Sequence, residues 1–106
     1  MNINIKATNI DLTPSIREYA ESKIGSISKF IERFEEEGEV KVEIEIGRTT
    51  RHHKKGDVFY AEAMVYLPKK TLRAESSGPD LRAGIDDVKD KLKAEIDKYK
   101  TQSSQE

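Results

Sequence analysis

Val40, Val42, Ile44 and Ile46 alternate with Lys41, Glu43 and Glu45. A period of two puts four apolar side chains on one side only when the backbone is extended, so this segment is a strand with one buried face. A second alternation follows. Phe59, Ala61, Ala63, Val65 and Leu67 form its inner row, and Val58, Tyr60, Glu62, Met64 and Tyr66 its outer row. The two segments read as a hairpin, and the rest of the chain must cover the apolar side of that hairpin.

The other elements follow from the same patterning. Residues 2–7 alternate, with Ile3, Ile5 and Ala7 on one face. Thr13-Pro14 supplies an N-cap and a proline at the first helical position. Ile16, Ala20, Ile24, Ile27, Ile31 and Phe34 then continue at steps of three and four, which predicts one helix ending near Gly38. Pro68-Lys69-Lys70 turns the chain into a short strand carrying Leu72 and Ala74, and the run from Ser77 to Asp80 stops it. The last helix has the cleanest stripe: Leu81, Ile85, Val88, Leu92, Ile96 and Tyr99. The order β-α-β-β-β-α predicts an α+β fold, a four-stranded sheet with two helices packed on one face and the other face open. Residues 1–100 form the expected domain, and the polar tail 101–106 is expected to be disordered.

With 106 residues the chain suits one core. It contains no cysteine, which excludes disulfides, thiolate metal sites and a cysteine nucleophile. Residues 1–7 have no signal-peptide character and no apolar run is long enough to span a bilayer, so a cytoplasmic protein without membrane contact is expected. Catalysis has no sequence support: there is no Gly-rich phosphate loop, no HExxH and no nucleophile elbow. Neither a cofactor nor a small-molecule substrate is expected.

Charge is more informative. Residues 1–47 hold 6 basic and 10 acidic side chains, whereas residues 48–106 hold 13 basic and 10 acidic. Residues 48–57, RTTRHHKKGD, gather Arg48, Arg51, Lys54 and Lys55 at the tip of the hairpin. Such a cluster suits phosphate groups, which guanidinium and ammonium donors bind through charge-assisted hydrogen bonds. His52 and His53 point to opposite sides of an extended segment and lack further ligands nearby, so no metal is expected there.

On a helical wheel with Leu81 at zero, Arg82, Lys89, Lys93 and Lys100 fall at about 80–120°. Lys91 and Lys98 fall near 260–280°, on the opposite flank of the apolar stripe. Asp86, Asp90 and Asp97 are assigned to the solvent pole. These basic rails suit successive phosphates of a folded RNA, or are ordinary solvated flanks of a core stripe. Tyr60 and Tyr66 on the outer row suggest either base stacking or cross-strand packing.

Taken together, LTPSIREYAESKI (residues 12–24), TRHHKKGDVFYAEA (50–63), LPKKTLRAE (67–75) and DLRAGIDDVKDKLKAEIDKYK (80–100) resemble the ribosome hibernation-promoting factor and ribosome-associated inhibitor family, also described as sigma-54 modulation proteins. The resemblance spans about residues 2–100. It implies a fold like double-stranded RNA-binding domains. It also implies binding to the small ribosomal subunit in the mRNA and tRNA channel, where A and P sites are occluded. By position it assigns rRNA contacts to Lys91, Lys93, Lys98 and Lys100, to Arg51, Lys54 and Lys55, and to Arg17. The chain departs from the family pattern at Arg82, which replaces an aromatic, and at Ala94 and Asp97, which occupy often-basic positions. Arg82 and Lys89 join the candidate RNA-binding set on the wheel positions above. The length fits either a short family member or the N-terminal domain of a long one. Two other readings stand beside this one: a generic duplex-RNA-binding module, and a protein-interaction domain whose open sheet face supports weak homodimers.

Overall fold

Thr13 and Asp80 fix where the two long helices begin. The Thr13 hydroxyl accepts from the Ile16 N–H at 3.2 Å, with Pro14 in the first turn. The Asp80 carboxylate accepts from the N–H groups of Arg82 and Ala83 at 3.0 and 3.2 Å. Each cap satisfies donors that the first turn leaves without an intrahelical partner. The computed structural model describes residues 1–49 and 58–104. Its elements run β1 (Asn2–Thr8), α1 (Pro14–Gly25), a 3-10 turn (Ser26–Phe30), α2 (Glu32–Glu35), β2 (Lys41–Arg48), β3 (Phe59–Leu67), β4 (Lys70–Gly78) and α3 (Leu81–Ser104).

The expected β-α-β-β-β-α order and α+β class are present. The four strands form one sheet in the order β1-β2-β3-β4. β1 pairs parallel with β2, and the other two pairings are antiparallel. Pro68 and Lys69 make a two-residue turn that sets Leu67 opposite Lys70. At the other end of β3, the Thr49 N–H donates to the Val58 carbonyl at 2.9 Å, so the β2–β3 ladder reaches the edge of the basic segment. That segment's Arg51, His52, His53, Lys54 and Lys55 lie outside the described residues.

The inner rows of the strands and the stripes of the helices meet in one core. Val42, Ile44 and Ile46 of β2, Ala61, Ala63 and Val65 of β3, and Ile85, Val88, Leu92 and Ile96 of α3 are all buried. Burial of a Leu92 or Ile96 side chain contributes about 1.5–3 kcal/mol relative to its exposure. The helical layer covers only this face. No helix among the described residues is long and apolar enough to cross a membrane.

Three details differ from the sequence expectations. The first helix does not run unbroken to Gly38: it tightens to 3-10 at Ser26 and resumes for one turn as α2. The Ser26 hydroxyl donates back to the Lys23 carbonyl at 2.6 Å, offering the backbone an alternative to the helical ladder. β4 is longer than expected, because Ser76, Ser77 and Gly78 still pair with Ala61, Tyr60 and Phe59. α3 runs past Lys100 into the segment expected to be disordered, where Thr101 donates its hydroxyl to the Asp97 carbonyl at 3.0 Å.

Candidate nucleic-acid interface

α1 and its 3-10 extension lie beside α3 and run in the same direction. Tyr19 and Lys23 lie level with Arg82 and Asp86, while Phe30 and Arg33 lie level with Lys93 and Lys100. The flank of α3 carrying Arg82, Lys89, Lys93 and Lys100 therefore faces the first helical segment. Those four residues become one side of a seam whose other side is Lys23, Lys29 and Arg33. Arg82 and Lys100 are 18 residues apart, which makes this side about 27 Å long.

Aromatic rings space the cations along the seam. The Arg82 guanidinium stacks over Tyr19, 5.5 Å from its ring centroid, and donates to the Ser15 hydroxyl at 2.9 Å. The Lys23 ammonium lies 5.6 Å from the same centroid. Further along, Lys29 and Lys93 each lie 5.2 Å from the Phe30 centroid and Lys100 lies 5.9 Å from it. The Arg33 guanidinium rests 4.9 Å from the centroid of Phe34, and its Nη2 donates to the Lys100 carbonyl at 3.5 Å. A ring face attracts a cation through its quadrupole, so each aromatic holds positive charge at the surface without neutralising it.

Asp86 interrupts this charge. The wheel assigned it to the solvent pole, but it is half-buried inside the seam. It accepts from the Tyr19 hydroxyl at 2.7 Å and lies 3.9 Å from the Lys23 ammonium. The hydrogen bond to Asp86 is the chief reason that the Tyr19 phenol is held above its ordinary pKa. Lys89 pairs with Asp90 at 2.7 Å, and that contact raises its pKa. By contrast, neither Lys29 nor Lys93 has a carboxylate within ion-pair distance among the described residues. The seam is partly neutralised toward the start of α3, whereas toward its end Lys29 and Lys93 carry no such pairing among the described residues.

The remaining candidates lie elsewhere. Lys91 is on the β4 side of α3, where its ammonium meets Asp87 at 3.1 Å and donates to the Glu75 carbonyl at 2.9 Å. The Ser76 hydrogen bond, and then Lys91, hold the Asp87 carboxyl below its usual range. Lys98, seven residues on, shares that flank. Arg17 is exposed and 3.6 Å from Glu21, one helical turn away. Arg51, Lys54 and Lys55 lie outside the described residues. Lys23, Lys29 and Arg33 are the members of the seam that sequence reasoning missed. Their signal is that each lies next to an aromatic, or four residues from one, in the first helical segment.

The open sheet face has a different character. In register across the strands lie Lys6, Glu45, Glu62 and Glu75. Arg73 bridges Glu62 and Glu75 at 2.7 Å each, with Glu62 the main reason that its pKa is raised. Tyr60 lies flat across Gly47, where an added Cβ would come within 2.5 Å of its ring. Its hydroxyl donates to Glu45 at 2.8 Å, and Thr8 donates to the same oxygen at 3.1 Å. Tyr60 is thus a cross-strand packing residue, and the carboxylates around it repel phosphate. Among the described residues no group of three or more His, Asp or Glu is placed to hold a metal ion.

Fold and seam together define a class: a small α+β domain with a rigid cationic helical face set opposite an acid-rich sheet. The chain belongs to the family described as Sigma 54 modulation protein / S30EA ribosomal protein, whose model matches residues 3–104. It is 36% identical over 103 residues to the ribosome hibernation promotion factor of Lactococcus lactis, covering 95% of this chain and 50% of that protein. It is 32% identical over 102 residues to the factor of the same name from Staphylococcus aureus, covering 95% and 49%. The chain thus spans about half the length of the curated relatives it matches. Among solved structures, the Thermus thermophilus Protein Y N-terminal domain matches with a TM-score of 0.75 at 26% identity, covering 93% of this chain and 99% of that one. A ribosomal subunit interface protein from Coxiella burnetii shares the fold, with a TM-score of 0.77 at 24% identity and coverage of 95% and 99%.

Proposed function

We propose that this chain is a cytoplasmic ribosome hibernation factor. It binds the small ribosomal subunit through rRNA, occupies the mRNA and tRNA channel across the A and P sites, and inhibits translation in resting or stressed cells. It acts without catalysis. The observation that carries this reading is the seam between α1 and α3, where Arg82, Lys93, Lys29, Lys100 and Arg33 line one helical groove. The names of its relatives, which match over nearly the whole of this chain, support the same reading.

The physics is that of a plug. Cations preset on aromatic faces lose little side-chain freedom on meeting phosphates, and each phosphate neutralised releases condensed counterions. A folded domain gripped in this way excludes tRNA by its volume. The acid-rich sheet on the opposite side disfavours a second RNA there.

Cosedimentation with purified small subunits across a salt series tests the proposal. Binding is expected to weaken by about three to five decades per decade of salt, since each neutralised phosphate contributes roughly 0.7–0.9. Prebound P-site tRNA is expected to compete. A protein that stays in the supernatant at every salt concentration would refute the reading. Equal affinity for any RNA duplex of about 16 bp would replace it with generic duplex binding.

A further inference from the structure

We propose that the end of the seam nearest the C-terminus of α3 is a seat for a free oligophosphate, an anion carrying adjoining phosphate groups. Inorganic tripolyphosphate and the triphosphate of a nucleotide share this chemistry. The proposal goes beyond ribosome binding, because the ligand is a small diffusible anion.

Three ammonium groups converge on one ring. Lys29 comes from the 3-10 turn, and Lys93 and Lys100 come from α3, two turns apart. All three lie within 5.9 Å of the Phe30 centroid. No two of them are therefore more than about 11 Å apart. Like charges held this close repel one another, and they repel most where no carboxylate intervenes. Lys29 and Lys93 have no such partner among the described residues, whereas Lys23, Lys89 and Lys91 each have one. The Arg33 guanidinium adds a fourth cation, tied to the Lys100 carbonyl.

A phosphodiester backbone brings one charge per phosphate, with a sugar between successive phosphates. An oligophosphate places several charges in the same span with nothing between them. It therefore matches three converging ammonium groups more closely, and each contact is a charge-assisted hydrogen bond. Phe30 acts as a positioning residue: its ring gathers the lysines and, unlike a carboxylate, brings no countercharge of its own.

Titration calorimetry with sodium tripolyphosphate, at fixed ionic strength and without divalent cations, tests this. One-to-one binding is expected, about tenfold or more tighter than for orthophosphate or sulfate, as several charge-assisted contacts replace one. A parallel titration with adenosine triphosphate distinguishes a nucleotide source from an inorganic chain. Weaker binding of the nucleotide assigns the seat to the inorganic chain, and tighter binding assigns it to a nucleotide. The double substitution K93Q/K100Q is expected to lower the affinity about tenfold or more, while K70Q, exposed on β4 and outside the seam, leaves it unchanged. Phe30→Leu is expected to weaken binding and Phe30→Tyr to restore it, with both variants folded by circular dichroism. Equal affinity for tripolyphosphate and sulfate, or no response to K93Q/K100Q, would overturn the seat. Cosedimentation with small subunits is run on the same protein. Sedimentation without tripolyphosphate binding refutes the seat alone, and the converse result refutes the ribosome reading alone.

Discussion

Replacing Gly47 by alanine tests whether Tyr60 is fastened to the sheet in the way the geometry describes. Gly47 is buried and opposite Tyr60 in the β2–β3 register. A Cβ added there would sit 2.5 Å from both the Cζ and the hydroxyl oxygen of Tyr60. The Gly47 backbone is not in the left-handed region, so any penalty comes from this contact alone. Tyr60 must swing away, and its 2.8 Å hydrogen bond to Glu45 is lost. A hydrogen bond to a charged group contributes about 1.5–3 kcal/mol, and the lower end applies to this half-buried pair. Alanine in a strand recovers about 0.5–1 kcal/mol over glycine, mostly by restricting the unfolded chain. The expected net loss is about 1 kcal/mol, or a midpoint lower by roughly 4–8 °C in thermal unfolding followed by circular dichroism. In a Tyr60→Ala background the obstacle is gone, and the same glycine substitution is expected to stabilise the fold by about 0.5–1 kcal/mol. The sign change is the diagnostic, since a double-mutant cycle isolates the pair. An equal cost in both backgrounds would refute the reasoning. Ribosome binding below the midpoint is expected to be unchanged, because the substitution lies on the sheet face away from the seam.

Asp86→Asn removes a carboxylate near the start of the seam; it is expected to tighten binding to small subunits about two- to threefold at low salt, as measured by cosedimentation, while lowering the thermal midpoint. Unchanged affinity would mean that RNA does not approach that stretch. Lys93→Glu with Lys100→Glu is expected to abolish sedimentation at moderate salt, whereas Lys91→Glu with Lys98→Glu, on the β4 flank, changes it little; the opposite ranking would assign rRNA to the other flank. Glu45 has its pKa lowered, first by the Tyr60 hydrogen bond and then by that from Thr8, so its contribution to stability is fully present above the unfolded carboxylate value and is lost as pH falls through the lower folded one. Denaturation by urea at a series of pH values is thus expected to show wild type above Tyr60→Phe near neutrality and the two converging in acid; a constant gap would exclude the Glu45 linkage.

The strands were legible because alternation admits one answer. Val40 to Ile46 and Phe59 to Leu67 could bury their apolar residues only as neighbouring strands with one covered face. The break at Ser26 was not legible. Ile24, Ile27, Ile31 and Phe34 are spaced by three and four, which suits a 3-10 turn as well as an α-helix, so only tertiary packing decides. The seam was half legible. A helical wheel separates the flank of Lys93 from that of Lys91, but it does not say which flank meets another helix. That missing neighbour explains why Asp86 was placed on the solvent pole and why Lys23, Lys29 and Arg33 went unnoticed. Of the basic segment at residues 48–57, prominent in the sequence, residues 50–57 lie outside the described residues, and their part in binding is a proposal.

The parallel pairing of β1 has a consequence for how the chain reaches this structure. β2, β3 and β4 each meet a neighbour next to them in sequence, so the meander forms by local closures. Asn2 instead pairs with Lys41, across the whole helical crossover. Such a closure costs more loop entropy and is slower than a hairpin. Synthesised from its N-terminus, the chain therefore delivers first the strand whose partner comes late. Until Lys41 to Arg48 have emerged, Ile3 and Ile5 have no sheet to join, and α1, whose caps are local, can form ahead of them. β1 is therefore expected to dock late, onto a meander already built, closing the sheet from its edge.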